Sequence, residues 1–310
     1  MCILITGGAG FIGSYIIKKL IEDDYENIIV YDQCPRIEKI KNLINKVNVI
    51  RGDITDFHTI FDIIKKFEVS SIIHLASLLI IESQERPLQA IKINCEGFIN
   101  LLEAARILDI ESIVWASSRD VYGPSSFYSK QPVNEEDPPK PVNVYGICKL
   151  FDEMIAEQYY KTYGIKAIGL RLEVTYGPGR FRGHSYYVVD LFEKPAKNLP
   201  ITIECGDLRV NWLYVKDAAK AFVLAFKKAS ELRNLVYNIG GEEKTIKEVV
   251  EYIKTLMPNA KIYVKSGYGP FTQYPSIDIS RAIKELGYTV EYPVEKGIRD
   301  YISYLLSHNY

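Results

Sequence analysis

The stretch that most constrains this chain stands at its start. An apolar run, "CILIT", leads into the glycine-rich "GGAG" and then into "FIGSYIIKKLIE", which has the length and spacing of a helix. Gly7, Gly10 and Gly13 recur at every third position there. Glycine permits a tight turn and a close approach of backbone to a neighbour, here between the end of a strand and the first turn of a helix. The rhythm then repeats. "NIIVYD" precedes a charged helical segment around 36–45, "VNVIRGD" precedes "FHTIFDIIKKF", and "SIIHLA" precedes "PLQAIKINCEGFINLLEAARIL". "SIVWASS", a long loop, "YGICKLFDEMIAEQYYKTY" and "KAIGLRL" complete the first half. Short β-branched runs alternating with amphipathic segments predict an α/β chain whose parallel sheet is covered by helices on both faces. The second half is less regular, with a loop-rich stretch at 171–207, helices between 242 and 310, and "YNIGG" as one more strand returning to the first sheet.

A strand, a glycine turn and a helix at the start of an α/β chain form a cradle for a pyrophosphate, because backbone N–H groups at the helix N-terminus point at the anion. The next strand ends in Asp32. A carboxylate there accepts hydrogen bonds from ribose hydroxyls and repels a 2′-phosphate, which favours NAD over NADP. Arg36 is a counter-signal. Asp53, at the end of the third strand, would lie near the adenine. It serves equally well as a helix N-cap in "DITDF".

Composition narrows the partners. With 47% hydrophobic and 25% charged residues and a formal net charge of −1, the chain has no global attraction for nucleic acid or an anionic membrane. No apolar run reaches the length of a membrane span. The first strand begins at the initial methionine, so neither signal peptide nor transit segment is expected. Cys2, Cys34, Cys95, Cys148 and Cys205 show no metal or disulfide spacing, which points to a reducing cytoplasm. Cys148 is singled out because it adjoins Lys149.

Tyr-x-x-x-Lys occurs three times among 23 tyrosines, as Tyr15/Lys19, Tyr145/Lys149 and Tyr292/Lys296. The first lies in the helix after the glycine turn, and Pro293 keeps the third off a regular helix. Tyr145 and Lys149 open a long helix on one face, after a strand ending in Ser117 and Ser118.

With these landmarks the chain resembles the extended short-chain dehydrogenases/reductases, the NAD-dependent epimerase/dehydratase family. The landmarks are "TGGAGFIGS", "GDITD", "HLAS", "NCEGFIN", "ASSRDVYG", "PVNEEDPPKPVNVYGICK", "LRLEVTYGPG", "WLYVKDAAKA" and "YNIGG". The resemblance implies a Rossmann-type doubly wound parallel sheet over 1–171 plus about 208–241. A smaller α/β substrate-binding domain would take about 172–207 and 242–310. It implies a Ser118–Tyr145–Lys149 triad, with Ser118 preferred to Ser117 because it stands four residues before Tyr122 of "VYG". Tyr145 would move the proton of a substrate hydroxyl, Lys149 would favour its phenolate and grip the nicotinamide ribose, and Ser118 would orient the substrate oxygen. NAD would also meet Phe11, Ile12, Ile54, Leu75, Ala76, Ser77 and Asn94, although Asn94 and Asn100 read mainly as residues tying the sheet together. Helices around 86–108 and 145–163 match those that pair relatives into homodimers.

The chain also departs from nucleotide-sugar epimerases. Val174 replaces the usual Asn, and Val210 replaces an Arg, with Arg209 one step earlier. No Arg appears in "GYGPFTQYPSI", where a second diphosphate anchor is expected. Dehydratase relatives carry acids after the triad Ser/Thr, where this chain has Arg119 and then Asp120; an ion pair with Arg119 or elsewhere is the favoured role of Asp120. "GHSYYVVDLFEKPAK" is similar to the small-substrate dehydrogenases of the L-threonine type. Arg180, Arg182 and His184 form a cationic loop that would clamp a carboxylate or phosphate, or solvate a flap. Three readings follow: an epimerase acting on a sugar or nucleotide-sugar, a small-substrate dehydrogenase, and a non-catalytic dinucleotide-binding module.

Overall fold

The computed structural model describes residues 1–181, 183–185 and 187–308. Among the described residues, twelve strands follow one another. They are β1 (Cys2–Thr6), β2 (Ile28–Asp32), β3 (Asn48–Arg51), β4 (Val69–His74), β5 (Ser112–Ser118), β6 (Ala167–Leu172), β7 (Val174–Tyr176), β8 (Ile201–Ile203), β9 (Arg209–Tyr214), β10 (Val236–Ile239), β11 (Glu242–Thr245) and β12 (Ile262–Val264). Seven form one sheet in the order β10-β6-β5-β4-β1-β2-β3, every neighbouring pair parallel. This is the Rossmann-type doubly wound sheet expected, and "YNIGG" returns to it as β10 beside β6. The order reverses between β1 and β4, so the carboxyl ends of these strands diverge into a crevice.

The helices follow the apolar periodicity with two differences. The segment around 36–45 forms a short helix, Ile37–Ile40, and then a 3-10 turn, Lys41–Lys46. Asn42 and Asn45 there favour local side-chain bonds over a regular helix. The expected helix across 87–108 is a turn at Pro87–Ala90, a wider π-type segment Ile91–Glu96, and a regular helix Gly97–Leu108.

The second body of structure has its own core. β9 pairs with β7 in parallel and β11 antiparallel, and β8 pairs with β12. Tyr176, Phe192, Trp212, Tyr214 and Tyr301 pack there beneath helices Tyr187–Ala196, Ile246–Leu256 and Val294–Ser307. A reciprocal Thr245–Glu248 capping box starts the middle one.

Between sheet and site lies a buried polar network. Arg171, on the fully buried β6, donates from Nε and Nη2 to the two Glu153 oxygens at 2.9 and 2.7 Å, and from Nη1 to the Tyr122 hydroxyl at 2.6 Å. Ser117 Oγ donates to Glu153 at 2.6 Å, and the Tyr122 hydroxyl donates to Asn238 on β10 at 2.9 Å. The network locks helix Val144–Tyr163 onto β5, β6 and β10. Breaking one half of such a pair leaves a buried charge unmatched. Glu153→Ala is expected to cost about 3–5 kcal/mol in denaturant unfolding, and a Glu153→Leu/Arg171→Leu double variant to recover much of it.

Candidate functional site

A single cavity of about 880 Å³ runs along the crevice, near the upper end of ordinary ligand sites. Its first wall is the glycine turn. Gly7 has φ of 68°, and a Cβ there would stand 2.7 Å from the Ala76 backbone nitrogen. A Cβ on Gly13 would stand 2.5 Å from the Gly8 carbonyl oxygen, so the helix Phe11–Glu22 can approach β1 this closely only with glycine. Gly10, Phe11, Ile12, Ile54, Leu75, Ala76 and Ser77 line the same wall. Asp32 closes the far end, and its Oδ1 accepts the Cys34 N–H at 3.0 Å. These residues fit a dinucleotide: a cradle without side chains for the pyrophosphate, an apolar floor and a carboxylate at the ribose end.

Three expectations need correction. Asp53 lines the cavity, but the N-cap of helix Phe57–Lys66 is Asp56, which accepts the Thr59 N–H at 3.1 Å. Asp53 instead holds the preceding turn through Thr55 N–H and Oγ1, both at 2.9 Å. Asn94 stands behind the wall. It is fully buried, takes the Leu78 N–H at 2.8 Å and gives to the Leu78 carbonyl at 3.1 Å, so it shapes the loop after β4. Arg119 pairs with Glu173 at 3.2 Å, while Asp120 accepts from Asn143 at 3.0 Å, Tyr274 at 2.7 Å and Ser118 at 3.1 Å.

Asn143 explains why the catalytic candidates face the cavity. Its side chain caps helix Val144–Tyr163 through the Gly146 N–H at 2.8 Å, and the helix then presents Tyr145 and Lys149 on its first turns. Lys149 Nζ lies 5.7 Å from the Tyr145 ring centre. Ser118 lines the cavity near Tyr145 with its Oγ donating to Asp120 at 3.1 Å, whereas the Ser117 hydroxyl donates to Glu153. The phenol is not held acidic here. Burial pushes the Tyr145 hydroxyl upward and the Asp120 charge adds to it, with Ser118 opposing both. The other two pairs are structural. Tyr15 donates to the Pro178 carbonyl at 3.2 Å while Lys19 pairs with Asp23, and Lys296 lies 4.3 Å over the ring of Tyr292, which precedes its helix.

The opposite end of the cavity is polar and aromatic. Arg180 is reached there, its guanidinium bonded to the Thr175 carbonyl, and burial lowers it to about 10. His184 is exposed on the rim, its ring 5.2 Å from Phe271. Arg209 is also exposed on the rim, and Val210 lines the wall beside it. Arg182 lies outside the described residues. The loop carrying these groups reaches back over the cofactor wall: Arg36 stacks 3.5 Å from the Phe181 ring centre, Lys39 lies 4.2 Å from it, and Lys39 bonds the Gly179 carbonyl.

Sequence reasoning missed Glu173, Tyr274, Tyr187 and Phe271, which also line this end. Glu173 left a faint signal as an acid directly after a wholly apolar-flanked strand. Burial raises its carboxyl to about 7, with Arg119 opposing. A carboxyl raised on folding contributes stability that is full at low pH and is lost as pH rises toward its folded value. Between pH 4.5 and 7 the parent should lose roughly 3 kcal/mol relative to Glu173→Gln, read as a difference in the pH slope of thermal unfolding.

The comparisons agree with this geometry. Residues 3–240 match the NAD dependent epimerase/dehydratase family. A relative from Methanocaldococcus jannaschii named "Putative UDP-glucose 4-epimerase" is 33% identical over 99% of both chains. The crystal structure of Thermotoga maritima UDP-glucose 4-epimerase with UDP-glucose superposes with a TM-score of 0.89 at 25% identity, covering all of both chains. L-threonine dehydrogenase from Clostridium difficile gives 0.87 at 27% identity, over 99% of this chain and 98% of that one. Family match, parallel sheet and glycine cradle together make this chain a member of the NAD dependent epimerase/dehydratase family.

Proposed function

We propose that this protein is an epimerase acting on a sugar or nucleotide-sugar, using NAD that it keeps through turnover. The observation that carries the reading is the loop 177–185. It lines the substrate end through Arg180 and His184, and the same loop is clamped to the cofactor end by Arg36 and Lys39 around Phe181. A cofactor beneath such a strap is poorly placed to exchange in every cycle. Arg36 engaged with Phe181 is also drawn away from a 2′-phosphate, which supports NAD over NADP beside Asp32.

In this reading NAD supplies the hydride acceptor. Tyr145 removes the proton of the substrate hydroxyl as that carbon is oxidised to a ketone, and gives a proton back after the substrate has turned. Lys149 would grip the nicotinamide ribose and work against the burial that keeps the Tyr145 phenol neutral, and Ser118 orients the reacting oxygen. Gly7, Gly10, Phe11, Ile12, Gly13, Asp32, Asp53, Ile54, Leu75, Ala76 and Ser77 hold the cofactor. Arg180, Arg182, His184 and Arg209 receive the anionic part of the substrate. The cofactor domain takes 1–171 and about 208–241, and the substrate domain the remainder. β9, which pairs outside the large sheet, serves as the seam between them.

The second reading, a dehydrogenase for a small hydroxy substrate, draws on Val210: the cavity wall there carries an isopropyl group where a diphosphate anchor is expected. Absorbance at 340 nm separates the two. UDP-glucose and UDP-galactose should interconvert without net NADH, and Tyr145→Phe should slow this at least about a hundredfold. Stoichiometric NADH growth with L-threonine would instead establish the dehydrogenase. A Tyr145→Phe variant with unchanged rates would remove the hydride-transfer reading altogether.

We also propose a homodimer in the cytoplasm. All five thiols are free, and no helix among the described residues is long and apolar enough to cross a membrane. Ile147, Phe151 and Met154 form an i, i+4, i+7 stripe on helix Val144–Tyr163 and are 54, 41 and 61% exposed. Leu88 and Ile91 add to the apolar surface at 71 and 53%. Sedimentation should show a dimer at micromolar concentration, and Phe151→Glu with Met154→Glu should convert it to a folded monomer.

A further inference from the structure

One turn beyond Lys149, on the same side of helix Val144–Tyr163, stands Asp152. It is fully buried, its Oδ2 is 3.8 Å from Lys149 Nζ, and neither carboxyl oxygen has a hydrogen-bond partner. An ion in a protein interior is strongly disfavoured unless another charge or a set of hydrogen bonds compensates it. Asp152 has no hydrogen bonds, which leaves Lys149 as its compensation. The relation is mutual, since Lys149 is itself buried to within 1% of full exclusion from solvent.

Other groups around the pair do not fill this role. Glu153, the next residue, is bound by Arg171 and Ser117. Asp120 is bound by Asn143, Tyr274 and Ser118. From β4, His74 faces the ammonium, and burial together with Lys149 pushes it down to about 3, so it is neutral. From β5, Trp115 offers its ring at 5.6 Å. Cys148 on the same helix packs against Cys95 on the facing segment, a neighbour that lowers the Cys148 thiol. Cys148 is therefore a competing source of negative charge and needs its own control.

We propose that Asp152 is a positioning residue of the active site: its buried carboxylate is the counter-ion that holds Lys149 Nζ in place beside Tyr145, and it thereby sets the pH range over which the Tyr145–Lys149 pair holds the cofactor and works. The inference rests on the reading of Tyr145 and Lys149 as the reacting pair. Burial pushes the Asp152 carboxyl well above the usual carboxylate range, and Lys149 is the first group that opposes the rise, so the carboxylate form depends on the cation beside it.

The test is NAD binding, followed by quenching of protein fluorescence from about pH 6 to about pH 10, for the parent, Asp152→Asn, Asp152→Glu and Cys148→Ala. In Asp152→Asn the alkaline fall in affinity should begin about one pH unit lower. Affinity would then be about twofold below the parent where the parent starts to weaken, approaching about tenfold once both limbs are falling. Asp152→Glu should restore the limb, and Cys148→Ala should leave it in place. Asp152→Ser serves as a second uncharged variant should the amide fail to fold. A profile for the uncharged variants that superposes on the parent's after scaling overturns the proposal, even with a lowered Tm, because a merely structural residue would behave that way. A limb moved by Cys148→Ala overturns it in favour of the thiolate. Lys149→Met distinguishes failure of the underlying reading: if that variant binds NAD with the parent's profile, Lys149 does not grip the cofactor, and the role of Asp152 falls with it.

Discussion

The guanidinium of Arg171 sits inside a parallel sheet, and much of the active-site architecture answers to that fact. A central strand buried on both faces has no water to offer a charge, so the fold brings Glu153 to it from the helix above. The two parallel hydrogen bonds fix that helix in rotation as well as position. With Glu153 held downward, the first turns of the same helix direct Tyr145 and Lys149 at the cavity. Ser117 is drawn into the network and the next residue of β5, Ser118, is left facing the site. One buried ion pair thus orients the three residues to which hydride chemistry is assigned.

The charges at the site are matched at short range. Arg119 answers Glu173, Asp152 lies against Lys149, and Asp120 is satisfied by Asn143, Tyr274 and Ser118. Burial works against ionisation of Tyr145, and Asp120 works in the same direction, so its proton is held until charge develops nearby.

The two ends of the cavity are joined by one loop. Phe181 reaches the cations at 36 and 39, while Arg180 and His184 remain at the substrate end. In the epimerase reading proposed above, a loop fastened at the cofactor end and lining the other couples what happens to the substrate with how long the cofactor stays. That coupling matters more to an enzyme that recycles its cofactor in place than to one that releases it.

Much of this was legible in the sequence because it follows from local chemistry. Alternating β-branched and amphipathic runs dictate a parallel sheet, glycines at every third position dictate the turn after β1, and i,i+4 spacing places Tyr145 and Lys149 on one face. The same local logic misassigned Asp53 as a possible helix cap, because the turn at Thr55 takes its carboxylate first. What the sequence left open were relations between residues far apart in the chain: Arg119 with Glu173, Tyr274 with Asp120, Arg36 with Phe181, Asn94 behind the wall rather than on it. Tertiary packing alone decided these, since burial turns a modest preference between two side chains into a requirement, and burial is a property of the assembled layers rather than of any segment within them.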